Sequence, residues 1–152
     1  MGISVDRIKK LRVKTGAGIA DCRKALEGAG GDEKKAQDLL KSWGQDLAAS
    51  KADRVAGQGL VETYIHAGGK VGAMVEVNCE TDFVARTDEF KHLVHEIAMQ
   101  VSAMDPKDVE ELLKQEYIRD ASKTVDGLVK EAIAKLGENI VIKRFMRFEL
   151  GQ

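Results

Sequence analysis

Proline is almost missing from this chain. Pro106 is the only one in 152 residues, which excludes Pro-rich linkers and polyproline recognition segments. Cysteine is nearly as scarce. Cys22 and Cys79 lie far apart with no CxxC spacing, so the sequence has no disulfide framework and the two thiols are expected to be buried. Neither charge sign prevails, with 24 Lys and Arg against 25 Asp and Glu and a net charge of -1. That balance argues against a protein that neutralises phosphates, and no direct nucleic-acid partner is expected. No apolar run approaches the roughly 20 residues that cross a bilayer, so no membrane partner is expected either. Met1-Gly2-Ile3-Ser4-Val5-Asp6 has no signal-peptide core, and the expected location is cytoplasmic. His66, His92 and His95 form no ligand cluster, so neither a metal site nor a cofactor is expected.

What the chain does have is periodicity. Residues 4 to about 47 read as three short helices. Ser4 can cap the first, with Val5, Ile8 and Leu11 on one face. Thr15-Gly16-Ala17-Gly18 breaks it. The second spaces Ile19, Cys22 and Leu26 on one side and stops at Gly28-Ala29-Gly30-Gly31. Asp32 caps the third, whose stripe is Ala36, Leu39, Leu40, Trp43 and Leu47. The pattern resembles a ubiquitin-associated three-helix domain. Residues 48–59 are small and polar and read as a connector, helical at its start, so the expected division is 1–47, 48–59 and 60–152.

From residue 60 the period changes to two. Leu60–His66 and Val71–Cys79 read as strands around the hairpin signal Ala67-Gly68-Gly69-Lys70. A long helix follows from about Thr87 to Ala103, with Phe90, Leu93, Val94, Ile97, Val101 and Met104 in phase. Asp105-Pro106 ends it, and Pro106 suits the first turn of a further helix through Val109, Leu112 and Leu113. Ser122–Leu136 reads as another helix, stopped by Gly137. Ile140–Leu150 reads as a last strand, with Ile140, Ile142, Met146, Phe148 and Leu150 on one face. The expected fold class is α+β: a three-helix unit, then a three-stranded antiparallel sheet packed with helices in the order β-β-α-α-α-β.

Chemistry-bearing residues do not converge. Cys79 with Glu80, Asp82 and His66 is the nearest constellation, but Cys79 falls on an apolar strand face, where a structural thiol is the better reading. His92 and His95 share a helix side with no further ligand. Gly16-Ala17-Gly18 lacks the spacing of a phosphate loop. Lys143, Arg144 and Arg147 read as the solvated side of an edge strand. Thr81-Asp82-Phe83-Val84, at the junction of strand and long helix, stands apart. An aromatic there either plugs the core or stands out as an anchor for a partner.

Four blocks carry a resemblance to a known family. They are Leu11-Arg12 with Thr15-Gly16-Ala17-Gly18 and Asp21-Cys22; Gly59-Leu60-Val61 with Tyr64-Ile65-His66; Val75 through Ala85; and Gly137-Glu138-Asn139-Ile140 running to Arg147-Phe148-Glu149-Leu150. In this order they resemble the elongation factor Ts family, guanine-nucleotide exchange factors of elongation factor Tu. The resemblance implies that Thr81, Asp82, Phe83 and Val84 enter the GTPase domain of that partner near its Mg²⁺. Phe83 is then a wedge between partner helices, Asp82 assists it, and GDP is released without an enzymatic step. It also implies that Arg12, Ile19, Ala20 and Arg23 dock the helical unit on the same domain. The segment from Asp105 to Ser122 is shorter than the helical insertion usual in the family. One sheet core is present where two are common, so a homodimer covering the open sheet face is a further expectation. The competing reading is a ubiquitin-associated-like adaptor for protein or RNA, without exchange activity and with Phe83 as a core plug.

Overall fold

The computed structural model describes residues 2–152. Helix α1 (Val5–Thr15) starts at Ser4, whose hydroxyl accepts from the Arg7 amide, and ends at Gly16 in the left-handed region at φ 69°. Helix α2 (Ile19–Gly28) follows Gly18, and helix α3 (Glu33–Lys51) is capped by Asp32, whose carboxylate accepts from Lys35 N at 2.9 Å. Ile8, Leu11, Cys22, Ala25, Leu26 and Ala36 form the core of this unit, with Leu39, Leu40 and Trp43 against it. The buried stripes are narrower than the periodicity suggests. Val5, Ile19 and Leu47 are exposed, because three short helices meet along a seam only two or three side chains wide. Helix α3 runs four residues past position 47, and Ala48 belongs to the second core.

That second core is α+β. Strands β1 (Gln58–Ile65) and β2 (Val71–Cys79) pair antiparallel. Gly59 has φ 148°, and a Cβ there would lie 2.1 Å from Val77 O, so only glycine lets the strands close at this end. Next come α4 (Asp82–Ala85), α5 (Asp88–Met104), α6 (Val109–Lys114), β3 (Glu116–Tyr117), β4 (Asp120–Thr124), α7 (Val125–Leu136) and β5 (Val141–Glu149). The main sheet has the order β1-β2-β5, and β3-β4 is a separate hairpin. Helix α5 lays Phe90, Leu93, Val94, Ile97 and Val101 on the side of the sheet that carries Val75, Val77 and Cys79, and α7 adds Val129 and Ile133. Met104, expected on that apolar face, is exposed.

Three expectations are corrected here. Pro106 does not open the helix after it. It is buried ahead of Asp108, whose carboxylate accepts from Glu111 N at 2.8 Å and so caps α6. An aspartate supplies the acceptor that free helical amides need, and a proline ring cannot. The last helix begins at Val125 rather than Ser122, because residues 120–124 fold back on Glu116–Tyr117 and Thr124 caps α7. The faces of β5 also differ. A bulge opposite Glu76 and Val77 makes Ile142 pair with Val77 and Arg144 pair with Glu76, leaving Lys143 as the extra residue. The phase therefore inverts. Ile142, Phe145, Arg147 and Glu149 turn toward the helices, while Met146, Phe148 and Leu150 are exposed. Arg147 is consequently not solvated. Its Nε donates to Ser102 O at 3.0 Å, at the C-terminal end of α5, where a cation satisfies free carbonyls.

Helix α5 also buries Glu96 and Gln100, both bonded to residues 116–119 rather than to the sheet. Gln100 Nε2 donates to Glu116 O and its Oε1 accepts from Ile118 N. The Glu96 carboxylate accepts from the Tyr117 hydroxyl and from Arg119 Nε. These bonds clamp the β3-β4 hairpin to α5. Burial opposes the charge on Glu96, but the Tyr117 and Arg119 hydrogen bonds outweigh it and hold the carboxyl below its ordinary value. Burial, together with the Glu96 charge, pushes the Tyr117 phenol up.

A carboxylate depressed in the native state adds stability above its unfolded pKa, and that stability is lost as pH falls through the native value. The chain should therefore lose this contribution below about pH 4.3. Glu96→Gln should be less stable at pH 7 by about 1–3 kcal/mol and should lose less on acidification. Thermal midpoints of both chains at pH 7 and about pH 2.5, well below the unfolded glutamate value, check this; parallel falls would overturn the assignment.

Candidate functional site

Strand β2 ends at Cys79, and two residues later the chain makes a single helical turn, α4. Thr81 is the N-cap, with its Oγ1 accepting from Val84 N at 3.4 Å. Thr87 joins this turn to α5: its hydroxyl donates to Val84 O at 2.7 Å and accepts from Phe90 N at 3.2 Å. Asp82 pairs with Arg86 one turn on, at 3.0 Å. Within the turn, Ala85 is buried and Val84 half-buried against the core, whereas Phe83 is 77 % exposed. Phe83 is therefore no core plug. Its ring projects from a turn fixed at both ends.

Two residues remote in the chain hold this turn. Glu138 follows Gly137, the left-handed stop of α7. Its Oε1 accepts from Glu80 N at 3.2 Å and from Thr81 N at 3.0 Å, and its Oε2 accepts from the Thr81 hydroxyl at 2.7 Å. The neighbouring Asn139 amide returns a bond to Glu80 Oε1 at 2.8 Å. The Asn139 side chain donates to Ala52 O and Arg54 O, tying in the segment after α3. Sequence reading gave these residues no role, since Glu138 and Thr81 are 57 positions apart. The available signal was a charged residue directly after a helix-stopping glycine, on a turn too short to be merely a connection.

The catalytic candidates are not assembled. His66 lies at the hairpin end of the β1-β2 ladder and Cys79 at the opposite end. His66 Nδ1 instead pairs with the Tyr64 hydroxyl at 3.1 Å, and His95 packs edge-on against Tyr64. Cys22 and Cys79 are both buried and free. Burial pushes the Cys79 thiol up, and the nearby Glu138 and Asp82 charges add to that. Such a thiol is a poor nucleophile.

On the helical unit, Arg12, Ile19, Ala20 and Arg23 are all exposed around the Gly16–Gly18 loop, and Arg23 pairs with Glu27 at 2.9 Å. Val13, at 86 % exposed, adds an apolar residue next to Arg12 that the helical pattern did not mark. This surface is braced from the other unit. Lys135 of α7 crosses Gly16 so closely that a Cβ there would lie 2.2 Å from its Cε.

The family model described as "Elongation factor TS" matches residues 80–152. The "Elongation factor Ts" of Thermoanaerobacter sp. (strain X514) is 48% identical over 195 aligned positions, covering 99% of this chain and 96% of the relative. That of Coprothermobacter proteolyticus is 45% identical over 197 positions, covering the whole of both. An alignment of 195 positions against 152 residues leaves at least 43 residues of the Thermoanaerobacter protein without a counterpart here. The "Elongation factor Ts" of Nostoc sp. (strain PCC 7120 / SAG 25.82 / UTEX 2576) is 53% identical over 148 positions, 97% of this chain and 47% of that protein. Its alignment has no room for such an insertion.

The Cys79 environment gives a direct test. Neither thiol should react with a disulfide reagent at pH 7 in the native chain, and both should react once it is unfolded. Cys79→Ser should cost about 1–3 kcal/mol of stability, read from urea unfolding. A fast-reacting native Cys79 would reverse the reading of its surroundings.

Proposed function

The chain belongs to the elongation factor Ts family of translation elongation factors, and on that premise we propose that it binds elongation factor Tu carrying GDP and promotes GDP release. In this reading Phe83 enters between helices of the partner's GTPase domain near its Mg²⁺, with Asp82 beside it. Thr81 and Val84 hold the turn. Loss of the ion and disturbance of the phosphate site weaken the GDP complex, and GTP reloads the partner. Arg12, Ile19, Ala20 and Arg23 dock the helical unit on the same domain.

The observation that carries this reading is the exposure of Phe83 on a turn capped at both ends. A large apolar ring held rigidly in water gains on burial in a partner and loses little conformational entropy there. Exchange of this kind makes and breaks no covalent bond in the exchange factor. It requires only that the partner bind GDP and this chain antagonistically, and that coupling acts equally in both directions. The proposed setting is the cytoplasm, with no nucleic acid bound directly.

The outer side of the sheet supports a second element of the proposal, a homodimer. Val61, Ile65, Met74, Met146, Phe148 and Leu150 are all exposed there, an apolar row that a monomer would leave in water. Its charges are already matched, since Arg144 Nε meets Glu76 Oε1 at 2.9 Å. Two copies stacked face to face would bury no unpaired charge at that pair.

With elongation factor Tu loaded with fluorescent GDP, the wild-type chain should accelerate release. Phe83→Ala should reduce the acceleration by about 30-fold or more, the usual loss for an aromatic anchor. Absence of acceleration by the wild type would end the exchange reading, and equal acceleration by both chains would remove Phe83 from it. Sedimentation should give a two-chain mass for the wild type and a one-chain mass for Phe148→Asp; a one-chain wild type would end the dimer.

A further inference from the structure

We propose that Glu138 is a positioning residue for exchange: it acts through Thr81 to hold Phe83 outward in the orientation the partner meets. The inference rests on the exchange reading above but concerns a residue from another part of the chain.

The reasoning starts with backbone groups. The amides of Glu80 and Thr81 lie after the last β2 residue and before the first residue of α4. They have neither ladder nor helix partners, and buried or half-buried amides need some acceptor. One oxygen of Glu138 takes both. The other oxygen takes the single proton of the Thr81 hydroxyl. A hydroxyl has one proton and two lone pairs. With its proton committed to a carboxylate, Thr81 can present only lone pairs to Val84 N, which is the bond that caps α4. Glu138 thus selects the hydroxyl rotor that makes the cap.

A four-residue turn depends on such help. Nucleating one helical turn is unfavourable by itself, and its exposed Asp82–Arg86 pair adds only a few tenths of a kcal/mol. Phe83 makes no core contact of its own to fix its direction. Its orientation is inherited from Thr81 at one end and Thr87 at the other. Glu138 is itself seated by the left-handed Gly137 before it and by Asn139 after it, whose bonds reach Glu80, Ala52 and Arg54.

Glu138→Ala should leave two amides without their acceptor and free the Thr81 hydroxyl to rotate. Glu138→Gln keeps an acceptor oxygen for the two amides but gives up the carboxylate end, so it should fall between Ala and wild type. Exchange is measured over a titration of the protein up to saturation, giving a maximal GDP-release rate and a half-saturating concentration. Glu138→Ala should lower the maximal rate by about tenfold or more and move the half-saturating concentration less than twofold, because the docking surface of the helical unit is untouched. Phe83→Ala combined with Glu138→Ala should be no slower than Phe83→Ala alone, since both changes remove one function. Amide hydrogen exchange is followed in the same proteins without the partner. Thr81 and Val84 should lose protection in Glu138→Ala while the amides of α5 keep theirs.

Unchanged protection at Thr81 and Val84 would overturn the positioning role, whatever the exchange rates. Multiplying defects in the double variant, or a Glu138→Ala chain with the wild-type maximal rate, would also overturn it. A wild-type chain that does not speed release, with protection lost as expected, would instead overturn the exchange reading on which the proposal depends.

Discussion

The fold closes on a reciprocal exchange of hydrogen bonds between two short turns. The carboxylate of Glu138 serves the backbone where β2 ends, and the carboxylate of Glu80 serves the backbone where β5 begins. Asn139 then draws in the segment after α3. Three distant stretches thereby meet at one end of the sheet, and each satisfies groups the others cannot. The Arg54–Glu80 pair at 3.7 Å is outermost and the most wetted, and contributes least. Remove this knot and the helices still cover the sheet. What is lost is the fixed relation between the sheet and the turn that carries Phe83.

The periodic parts of this arrangement were legible in the sequence. Alternation set β1 and β2, and the 3.6-residue pattern set α1, α2 and α5, because the middle of each element turns one side toward a core. Apolar identity does not say whether a residue faces its own core or a partner. Ile19 reads as core by spacing and stands exposed at the loop, and Phe83 is equally compatible with both readings until its turn is seen. The β3-β4 hairpin was missed because its pairing depends on tertiary groups. Glu96 and Gln100 of α5 hold it, and both lie in a segment whose apolar period draws attention away from them. Glu138 was missed for the same reason: its partners are remote in the chain.

The two units are not strung loosely together. Helix α3 extends into the second core through Ala48, and α7 approaches it where a Cβ on Gly44 would lie 3.4 Å from Ala134 Cβ. Lys135 of the same helix covers Gly16. Helix α7 thus bears on the Gly16–Gly18 loop and, through the turn after it, on the turn of Phe83. Both exposed surfaces take their placement from one helix.

The bulge at Lys143 has a consequence for how β5 can mispair. In an unbulged ladder Arg144 would sit opposite Val75, facing α5, and a guanidinium buried there without a partner is costly. The inserted residue sends Arg144 outward to Glu76. It also turns Met146 and Phe148 into solvent and brings Phe145 and Arg147 inward. The apolar outer face is therefore the by-product of exchanging Arg144 for Arg147 on the inner side, where Ser102 O and the Glu149 carboxylate are at hand to pair it. A chain with an apolar residue at 144 would have two nearly matched registers for its last strand. Slippage between them would hide or reveal the apolar row without changing a single residue in it.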